Sequence, residues 1–513
     1  MSAIHQVLLA GGAGYQIANS LRFRAANSAY LSRTFGSPTS STVWTFSAWC
    51  KRGTLGSTSY LLGASTTTNF GFNSSNQLVL TLNGTTACTS TAVFRDPSAW
   101  MHIVYQQNGS AQTIYVNNAS VATGTTAAAI FNTAIAHQVG AANTTNFFDG
   151  HLANVYWIDG QALTPSSFGQ TDATTGVWVP KAYSGTYGNN GFFLQFKNAT
   201  STTTIGYDSS GNANNFTTSG ISVTSGVTFD QMLDTPTNNY AVMNPLDLSG
   251  TAATFQWGNL QVTRSGASFA QAYSSIAMTS GTWYFEMTAG ADVANLDAGL
   301  ITGTTNPAAN RYLGQDAYTY AYAPSGQKVN NATFSAYGNS WTSGDVIGVI
   351  LDADAGKLWF SKNGTVQASG DPVAGTNAAF TGLTGPYRFA VDVENGGICD
   401  VNFGQRAFAY TPPTGFKALN TQNIASSAVT TSGSFTGNAA ADGPFIWANG
   451  NPATLTINGN AVTFGTHADK TAGGFKLRTS SASYNTSGTN NWTATAGNRF
   501  VQSKKPNNAQ VNP

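Results

Sequence analysis

Two aspartates, Asp352 and Asp354, lie one residue apart in the segment GDVIGVILDADAGKLWFSKNG, and they could bind a metal ion or act as a catalytic pair. A helix–loop–helix calcium loop needs glycine at its sixth position and a bidentate glutamate at its twelfth. Counted from Asp352, these positions hold Lys357 and Asn363. The flanking runs VIGVILD and KLWFSK are short, apolar and β-branched, which favours a hairpin over two helices. The pattern therefore predicts that both aspartates are turn residues.

A site that hydrolyses glycans would need two carboxylates about 5–9.5 Å apart. The chain has two glutamates, Glu286 in TWYFEM and Glu394 in VDVENGG, and their sequence contexts do not suggest such a pair. An aspartate-based site would use Asp149, Asp159 or Asp208 first, but the first two precede glycines in turn-like contexts. We therefore expect no catalytic residues and a protein that is not an enzyme.

Histidines and cysteines form no recognisable metal or redox motif. The five histidines lack H-x-H and H-E-x-x-H spacing, and they are His5, His102, His137, His151 and His467. The three cysteines, Cys50, Cys88 and Cys399, are too few and too scattered for a disulfide framework, so we expect free buried thiols. No cofactor and no metal ligands are predicted. Binding of a calcium ion by a loop aspartate is an alternative that the sequence leaves open.

Aromatic side chains are the remaining candidates for binding. In AYTYAYAP, the residues Tyr318, Tyr320 and Tyr322 would share one face of a strand. A strand with period two explains this spacing by an inward core face, which is the interpretation we favour. The alternative is a platform for sugar or protein, because tyrosine combines a large apolar ring with a polar tip.

The composition excludes several classes of protein. Only 8% of the 513 residues are charged, and the net charge is +1. Nucleic-acid binding depends on clustered Lys and Arg, so no nucleic-acid partner is expected. No apolar stretch approaches the length of a membrane span. The N-terminus MSAIHQVLLAGGAG lacks a positively charged region, so it is not typical of a signal peptide.

The elements that would position these residues are short alternating strands separated by Gly, Asn, Ser and Thr. In WTFSAWCKR, for example, Trp44, Phe46, Ala48 and Cys50 fall on one face. Many such strands predict an all-β protein of tandem antiparallel β-sandwiches with a small β-rich C-terminal module.

Composition shifts divide the chain into five parts. We expect an N-terminal arm (1–18), a first sandwich (19–233), a Pro/Asn-rich linker (234–252), a second sandwich (253–419) and a C-terminal module (420–513). Linkers of this composition are expected to be accessible to proteases.

The second sandwich resembles a SPRY (B30.2-like) domain. The resemblance rests on GTWYFEM, then GLITG, then the hairpin from GDVIGV to FSKNG, then DVNFGQ…PPTGF, in that order across roughly residues 253–419. It implies a bent antiparallel β-sandwich whose loops bind protein partners without catalysis, and it implies that Asp352 and Asp354 lie in a core hairpin.

The first sandwich resembles laminin-G or concanavalin-like domains through WTFSAWCKR, WMHIVYQQNGSAQTIYVNN and FFDGHLANVYWIDGQALTPSSF, with GFFLQF returning into the same sheet. Related glucanases carry an E-x-D-x-E strand, which this chain lacks. The segments IGYDSSGNANNF and DTPTNNY are similar to tail-fibre-like structural proteins of tailed bacteriophages. This resemblance implies an external virion protein, on the tail or the capsid.

We therefore expect a tail fibre or similar appendage that binds the host surface. Its expected partners are other virion proteins, a glycan or protein receptor on the host, and further copies of itself, most simply as a trimer. A capsid-decorating or head-fibre protein is the main alternative, and a surface polysaccharide depolymerase is a third possibility.

Overall fold

The computed structural model describes residues 14–424 except 128, 129 and 174, and beyond residue 424 it describes seven strands. The chain divides into two compact units, Met1–Ile424 and Ala425–Pro513. In the described residues, regular structure is β-strand apart from four short 3-10 turns, at Ala25–Asn27, Pro165–Ser167, Thr204–Gly206 and Val293–Asn295. The predicted all-β class is confirmed. No helix in the described part of the chain has the length and apolar character needed to span a membrane.

The first sandwich contains seventeen strands. They are β1 (Ser20–Phe23), β2 (Tyr30–Thr34), β3 (Val43–Arg52), β4 (Ser59–Ser65), β5 (Thr68–Phe72), β6 (Leu78–Leu82), β7 (Thr85–Thr89), β8 (Met101–Asn108), β9 (Ala111–Val116), β10 (Ala119–Gly124), β11 (Ala136–Val139), β12 (Gly150–Asp159), β13 (Gly169–Thr171), β14 (Trp178–Pro180), β15 (Phe192–Leu194), β16 (Thr217–Ser219) and β17 (Gln231–Met232). One sheet has the order β10-β9-β8-β3-β12-β1-β17, with β15 beside β12, and the facing sheet has the order β16-β2-β11-β4-β5-β6-β7. Strands β13 and β14 form a separate pair.

Strand β3 shows why this sheet forms where it does. Trp44, Phe46, Ala48 and Cys50 alternate along β3 and all pack into the core between the two sheets, as their spacing predicted. The opposite face of β3 is also covered, because Trp49 packs in a second apolar cluster on the outer side. A central strand buried on both faces therefore explains the near-continuous burial of this segment.

The second sandwich contains fifteen strands. They are β18 (Met243–Leu248), β19 (Thr254–Gln256), β20 (Gln261–Thr263), β21 (Ala270–Ser274), β22 (Thr282–Ala289), β23 (Leu296–Thr302), β24 (Thr319–Tyr322), β25 (Gln327–Asn330), β26 (Thr333–Ala336), β27 (Val346–Asp352), β28 (Lys357–Lys362), β29 (Thr365–Val366), β30 (Tyr387–Val393), β31 (Ile398–Asn402) and β32 (Lys417–Ala418). One sheet runs β18-β21-β30-β23-β24-β25-β26, and the other runs β19-β20-β31-β22-β27-β28-β29, with β32 parallel to β22.

The hairpin that carries the two aspartates forms as predicted. Strands β27 and β28 pair antiparallel, and their register ends with Asp352 opposite Lys357. The Asp352 carboxylate accepts the backbone N–H groups of Asp354 and Ala355 at 3.1 and 2.9 Å. Asp352 therefore stabilises the turn through an Asx-type hydrogen bond, and Asp354 lies within that turn.

In the second unit the described strands form two sheets. They are β33 (Ser432–Thr436), β34 (Phe445–Asn449), β35 (Leu455–Ile457), β36 (Asn460–Ala461), β37 (Gly474–Lys476), β38 (Thr489–Ala494) and β39 (Arg499–Ser503). Their orders are β33-β38-β35-β36 and β37-β34-β39.

The segment 234–252 differs from the exposed linker that its composition predicted. Both sandwiches belong to the same compact unit. Asp234, Asn239 and Tyr240 are buried, and Met243–Leu248 forms strand β18 of the second sandwich. Polar residues can be buried here because their side chains have hydrogen-bond partners in the first sandwich, which composition alone does not reveal. We call residues 234–243 the interface segment.

The N-terminal arm also packs where the structure describes it. Residues 1–13 lie outside the described residues. Ile17 is buried beside Trp49 and Trp100, and its backbone N–H donates to the Thr237 hydroxyl at 3.1 Å. The described end of the arm is therefore attached to the first sandwich and to the interface segment.

The three cysteines are free and buried, which confirms the expectation from their number and spacing. Burial raises the pKa of Cys50 to about 12 and that of Cys88 to about 11, and it also raises the pKa of Cys399. Because the thiolate is the reactive form, all three are inert in the folded protein.

Chymotrypsin should not cut the native protein after Tyr240, because the interface segment is buried. Tyr207, which is 45% exposed, is the matched site at which native cleavage is expected. Mass spectrometry of the earliest fragments distinguishes the two sites. Early cleavage at Tyr240 would show that the interface segment is an accessible linker.

A thiol reagent should modify the native protein negligibly and should modify three thiols per chain after denaturation without reductant. A reagent that releases a chromophore when it reacts with a thiol is used, and the absorbance of that chromophore gives the number of modified thiols. A deficit of two thiols in the denatured protein would indicate a disulfide and contradict the structure.

Candidate binding surface

Asp149 has a structural task at the boundary between the two sandwiches. Its carboxylate accepts the backbone N–H groups of Gly258 at 2.8 Å and Trp257 at 3.1 Å, both from the second sandwich. Burial raises the pKa of Asp149, and these hydrogen bonds oppose that rise. The carboxylate therefore links the two sandwiches and has little capacity left for catalysis.

Asp159 and Asp208 each organise loops in the same way. The Asp159 carboxylate accepts four hydrogen bonds of 2.6–3.0 Å, from the backbones of Thr39, Ser40 and Asn190 and the side chain of Asn132. The Asp208 carboxylate accepts the backbone N–H groups of Phe193, Ser210 and Asn214. The protein's own backbone and side-chain donors therefore occupy both carboxylates.

The two glutamates lie in different sheets. Glu286 is on β22, and its carboxylate accepts the backbone N–H groups of Ala409 and Tyr410 at 2.8 and 2.9 Å. Burial raises the pKa of Glu286, while these hydrogen bonds oppose the rise. Glu394 follows the end of β30 in the facing sheet. The two glutamates thus belong to facing sheets of the second sandwich, and the expectation that they form no catalytic pair stays a prediction.

The described histidines are buried and neutral. Burial lowers the pKa of His102 to about 3 and that of His137 to about 4, and it lowers the pKa of His151 as well. His102 Nδ1 accepts the indole N–H of Trp178 at 3.1 Å, so its Nε2 donates to the Ser47 hydroxyl at 2.8 Å. His5 and His467 lie outside the described residues. Within the described part of the chain no three His, Cys, Asp or Glu side chains are placed to hold a metal ion.

The three alternating tyrosines do not all share one face, so this prediction was wrong for one of them. Tyr322 is buried in the main core of the second sandwich and Tyr320 packs against that core, as the core interpretation predicted. Tyr318 instead packs against a smaller apolar cluster. The reason is that β24 begins at Thr319, so the alternation does not extend to Tyr318.

That smaller cluster covers the outer face of the sheet that contains β23, β24 and β30. It includes Tyr273, Ile301, Leu313 and Ala390, and all four are fully buried. The chain between β23 and β24 folds back over this face, and we call residues 303–318 the covering loop. The loop is held by the backbone N–H of Leu313, which donates to the Asp392 carboxylate, and by the Gln271 side chain, which donates to the carbonyl of Arg311 at 2.9 Å.

Three aromatic rings form a continuous surface at the edge of the covering loop. The ring centroids of Phe269 and Tyr312 are 5.6 Å apart, and those of Tyr312 and Phe334 are 5.7 Å apart. Phe334 on the edge strand β26 is 48% exposed. We call these three residues the aromatic surface. Aromatic residues beside an arginine, here Arg311, are typical of the centres of protein interfaces.

Two carboxylates, Asp297 and Asp392, lie beneath the covering loop, and sequence analysis missed them. They face each other across the paired strands β23 and β30. Burial and the neighbouring carboxylate raise the pKa of Asp297, and burial raises the pKa of Asp392 to about 7. The pair therefore shares a proton near neutral pH. Only the strand register brings the two residues together, so no sequence motif reveals them.

A shallow cavity of about 310 Å³ lies on the outer side of the other sheet of this sandwich. Tyr284, Ile350 and Ser361 contribute to its lining, and Val373 is an exposed residue at its edge. The Tyr284 hydroxyl already donates to Glu286 at 3.1 Å. The exposed ring of Phe334 makes the aromatic surface the better candidate for binding.

Comparison with protein-family models identifies two domains in the chain. Residues 282–406 match the SPRY domain, and residues 25–167 match the concanavalin A-like lectin/glucanases superfamily. The chain therefore contains a concanavalin-like sandwich followed by a SPRY sandwich, as the sequence motifs predicted.

Several proteins from other organisms are similar to parts of the chain. The E3 ubiquitin-protein ligase RKP of Arabidopsis thaliana is 36% identical over 106 residues, which are 19% of this chain and 8% of that protein. The ATP-dependent RNA helicase DDX1 of Xenopus laevis is 30% identical over 181 residues, which are 35% of this chain and 23% of the helicase. The chain thus spans less than a quarter of the length of these relatives.

Solved structures with similarity to the chain include the SPRY domain of human HERC1 and stonustoxin. The HERC1 domain is 16% identical and has a TM-score of 0.26, and the match covers 32% of this chain and 99% of that domain. Stonustoxin is 17% identical and has a TM-score of 0.25, with coverage of 32% and 27%.

The shared proton of Asp297 and Asp392 should make stability depend on pH. Because the pKa of Asp392 is raised from 3.8 to about 7, the folded state holds more protons than the unfolded state between these values, and stability falls as pH rises through this window. In Asp297→Asn the fall should be smaller, because the raised pKa of Asp297 no longer contributes to the proton uptake of the folded state. Urea unfolding across the window measures the slope.

Asp371→Asn is the control for this experiment, because Asp371 is an exposed turn aspartate. The free energy of unfolding of Asp371→Asn should change with pH as steeply as that of the unmodified protein. An unchanged slope in Asp297→Asn would show that the two carboxylates do not share a proton.

Proposed function

We propose that this chain is a non-catalytic binding protein on the exterior of a tailed bacteriophage, as a tail fibre or similar appendage that attaches to the host surface. The virion setting rests on the sequence resemblance of IGYDSSGNANNF and DTPTNNY to tail-fibre-like proteins. The presence of a concanavalin-like domain and a SPRY domain agrees with a binding role, because both folds commonly present loops to partners.

The aromatic surface is the observation that carries the binding role. Phe334 is about half exposed, although its ring lies against that of Tyr312. Exposed apolar groups of this kind gain free energy when a partner covers them. The Tyr312 ring packs against the apolar cluster beneath the covering loop, so little conformational entropy of this side chain is lost when a partner binds.

The state of the carboxylates supports the absence of catalysis. A general acid or base must reach its substrate with a free lone pair or proton. The carboxylates of Asp149, Asp159, Asp208 and Glu286 instead accept hydrogen bonds from the protein's own backbone. A depolymerase would therefore need acids other than those that the sequence nominated.

The proposed partners are a glycan or protein receptor on the host, neighbouring virion proteins and further copies of the chain. One sandwich binds a surface sugar weakly, whereas several linked copies multiply avidity by about 10²–10⁴ without new contacts. Cyclic symmetry closes such an assembly, and a trimer is the form we propose. A capsid-decorating or head-fibre role is the alternative.

Phe334→Ala should weaken binding of the purified chain to host cells by about tenfold, the usual effect of removing a central interface aromatic. Stability should change little, because the side chain is about half exposed. Tyr207→Ala is the matched control, since Tyr207 is 45% exposed in the first sandwich and lies outside the aromatic surface. Flow cytometry with labelled protein measures the binding.

Equal binding by Phe334→Ala and Tyr207→Ala would place the receptor site elsewhere. The same preparations should release no reducing ends from host polysaccharide. Release that disappears in Asp149→Asn or Asp208→Asn would favour the depolymerase instead. Gold-labelled antibodies against the chain should mark tail appendages in electron micrographs of the phage, and labelling of the head would favour the capsid alternative.

A further inference from the structure

A lysine amine is buried at the boundary between the first sandwich and the interface segment. Lys51 lies on β3, and only 1% of its side chain is exposed. Its Nζ is 2.7 Å from Oδ2 of Asp234, 2.7 Å from Oδ1 of Asn239 and 2.7 Å from the carbonyl oxygen of Tyr240. An amine, a carboxylate and a carboxamide therefore meet at one point that water does not reach.

The carboxylate and the carboxamide are both fixed in position. Oδ1 of Asp234 accepts the indole N–H of Trp100 at 2.9 Å and the backbone N–H of Tyr240 at 3.1 Å, which leaves Oδ2 for the lysine. The Asn239 Nδ2 donates to the carbonyl of Ser98 at 2.8 Å, which turns its carbonyl oxygen toward Nζ. The amide carbon of Asn239 is one bond beyond that oxygen, so it lies close to the amine.

We propose that Lys51 and Asn239 join in an intramolecular amide crosslink, with Asp234 as the catalytic residue that transfers the protons. Three features favour this reaction over a purely structural ion pair: the amide neighbours the amine, a carboxylate contacts the amine, and all three side chains are at least 97% buried. Groups held in contact in this way react with effective concentrations far above those in solution.

The reaction begins with the amine in its neutral form, because only that form has a free electron pair. Burial lowers the pKa of Lys51, and Asp234 opposes this effect. The proton passes from Nζ to Oδ2 of Asp234, which converts an ion pair into two neutral groups. Such a transfer is favourable in a dry interior, where separated charges are poorly stabilised.

The remaining steps balance without any further reagent. The Nζ electron pair attacks Cγ of Asn239, and the C=O π electrons move to oxygen, which hydrogen bonds with the protonated Asp234. The second Nζ proton and the Asp234 proton pass to Nδ2 as the tetrahedral centre collapses. The Cγ–Nδ2 bond breaks, and the nitrogen leaves with both protons as ammonium. The new Cγ–Nζ amide bond remains, Asp234 is ionised again, and the uncharged chain is lighter by one ammonia.

The crosslink would connect β3 covalently to the interface segment, across 188 positions of the chain. A hydrogen bond connects the interface segment to the second sandwich, because the Ala241 backbone N–H donates to the carbonyl of Leu419 at 3.0 Å. Closing so long a loop restricts the unfolded chain strongly. The bond would therefore resist separation of the segment from the first sandwich.

The intact mass of the full chain decides the proposal. Electrospray mass spectrometry of the denatured protein should give a mass lower than the sequence mass by one ammonia. Proteolysis should give a branched peptide that joins the fragments containing Lys51 and Asn239. A full sequence mass, with Lys51 open to acetylation after denaturation, would overturn the proposal. Loss of one water, with Lys51 bound to Asp234, would overturn the assignment to Asn239.

Lys362 provides an internal control. Its Nζ is 3.1 Å from Asp345, whose carboxylate also accepts the side chain of Asn363, but this group is accessible to water. Lys362 should stay free in the same spectra. Asp234→Asn and Lys51→Met should each show their full sequence mass, and Lys362→Met should still lose one ammonia. Loss of ammonia from Asp234→Asn to the same extent would overturn the role of Asp234.

If Asp234→Asn does not fold, the mass of the unmodified chain still decides whether the crosslink exists. The conservative variant Asp234→Glu then tests the proton-transfer role. Slower accumulation of the crosslinked mass after refolding would support that role, and an unchanged rate would count against it.

Discussion

The pairing of buried charges where the chain leaves the first sandwich is the interaction on which the rest of the structure depends. The Arg22 and Arg24 side chains both donate to Asp230 at 2.9 Å, and Lys51 donates to Asp234 at 2.7 Å. Removal of one partner from a buried pair of this kind typically costs about 3–5 kcal/mol, because the other charge is left without compensation. These pairs therefore fix residues 230 and 234 of the chain against β1 and β3 of the first sandwich.

The chain has few charged residues, which makes the burial of several of them notable for the surface that remains. Only 8% of the residues are charged, yet several of them lie in the interior, where they hold loops and sheets together. Hydroxyl, amide and backbone groups must therefore provide much of the contact with water. Such a surface has few charges that could attract or repel a partner. A partner can therefore be selected by its shape and by apolar contact with an exposed ring such as that of Phe334.

The fold could largely be predicted from the sequence, because alternation along a strand and turn residues are local signals. The face formed by Trp44, Phe46, Ala48 and Cys50 and the Asp352 turn are examples. The burial of residues 234–243 could not be predicted, because their partners lie far away in the chain. The candidate site was mostly missed for the same reason: Asp297 and Asp392 meet through strand register, and Tyr312 meets Phe334 through the path of the covering loop.

Asp149 has a consequence for how such a chain can change during evolution. Its carboxylate belongs to the concanavalin-like sandwich, but the N–H groups that satisfy it belong to Trp257 and Gly258 at the start of the SPRY sandwich. Replacement of the SPRY sandwich alone would remove both of these donors and leave the carboxylate with the longer hydrogen bond from the Ala25 backbone N–H at 3.4 Å. We therefore expect a recombination breakpoint between the two sandwiches to destabilise the product, even though each half has a familiar fold.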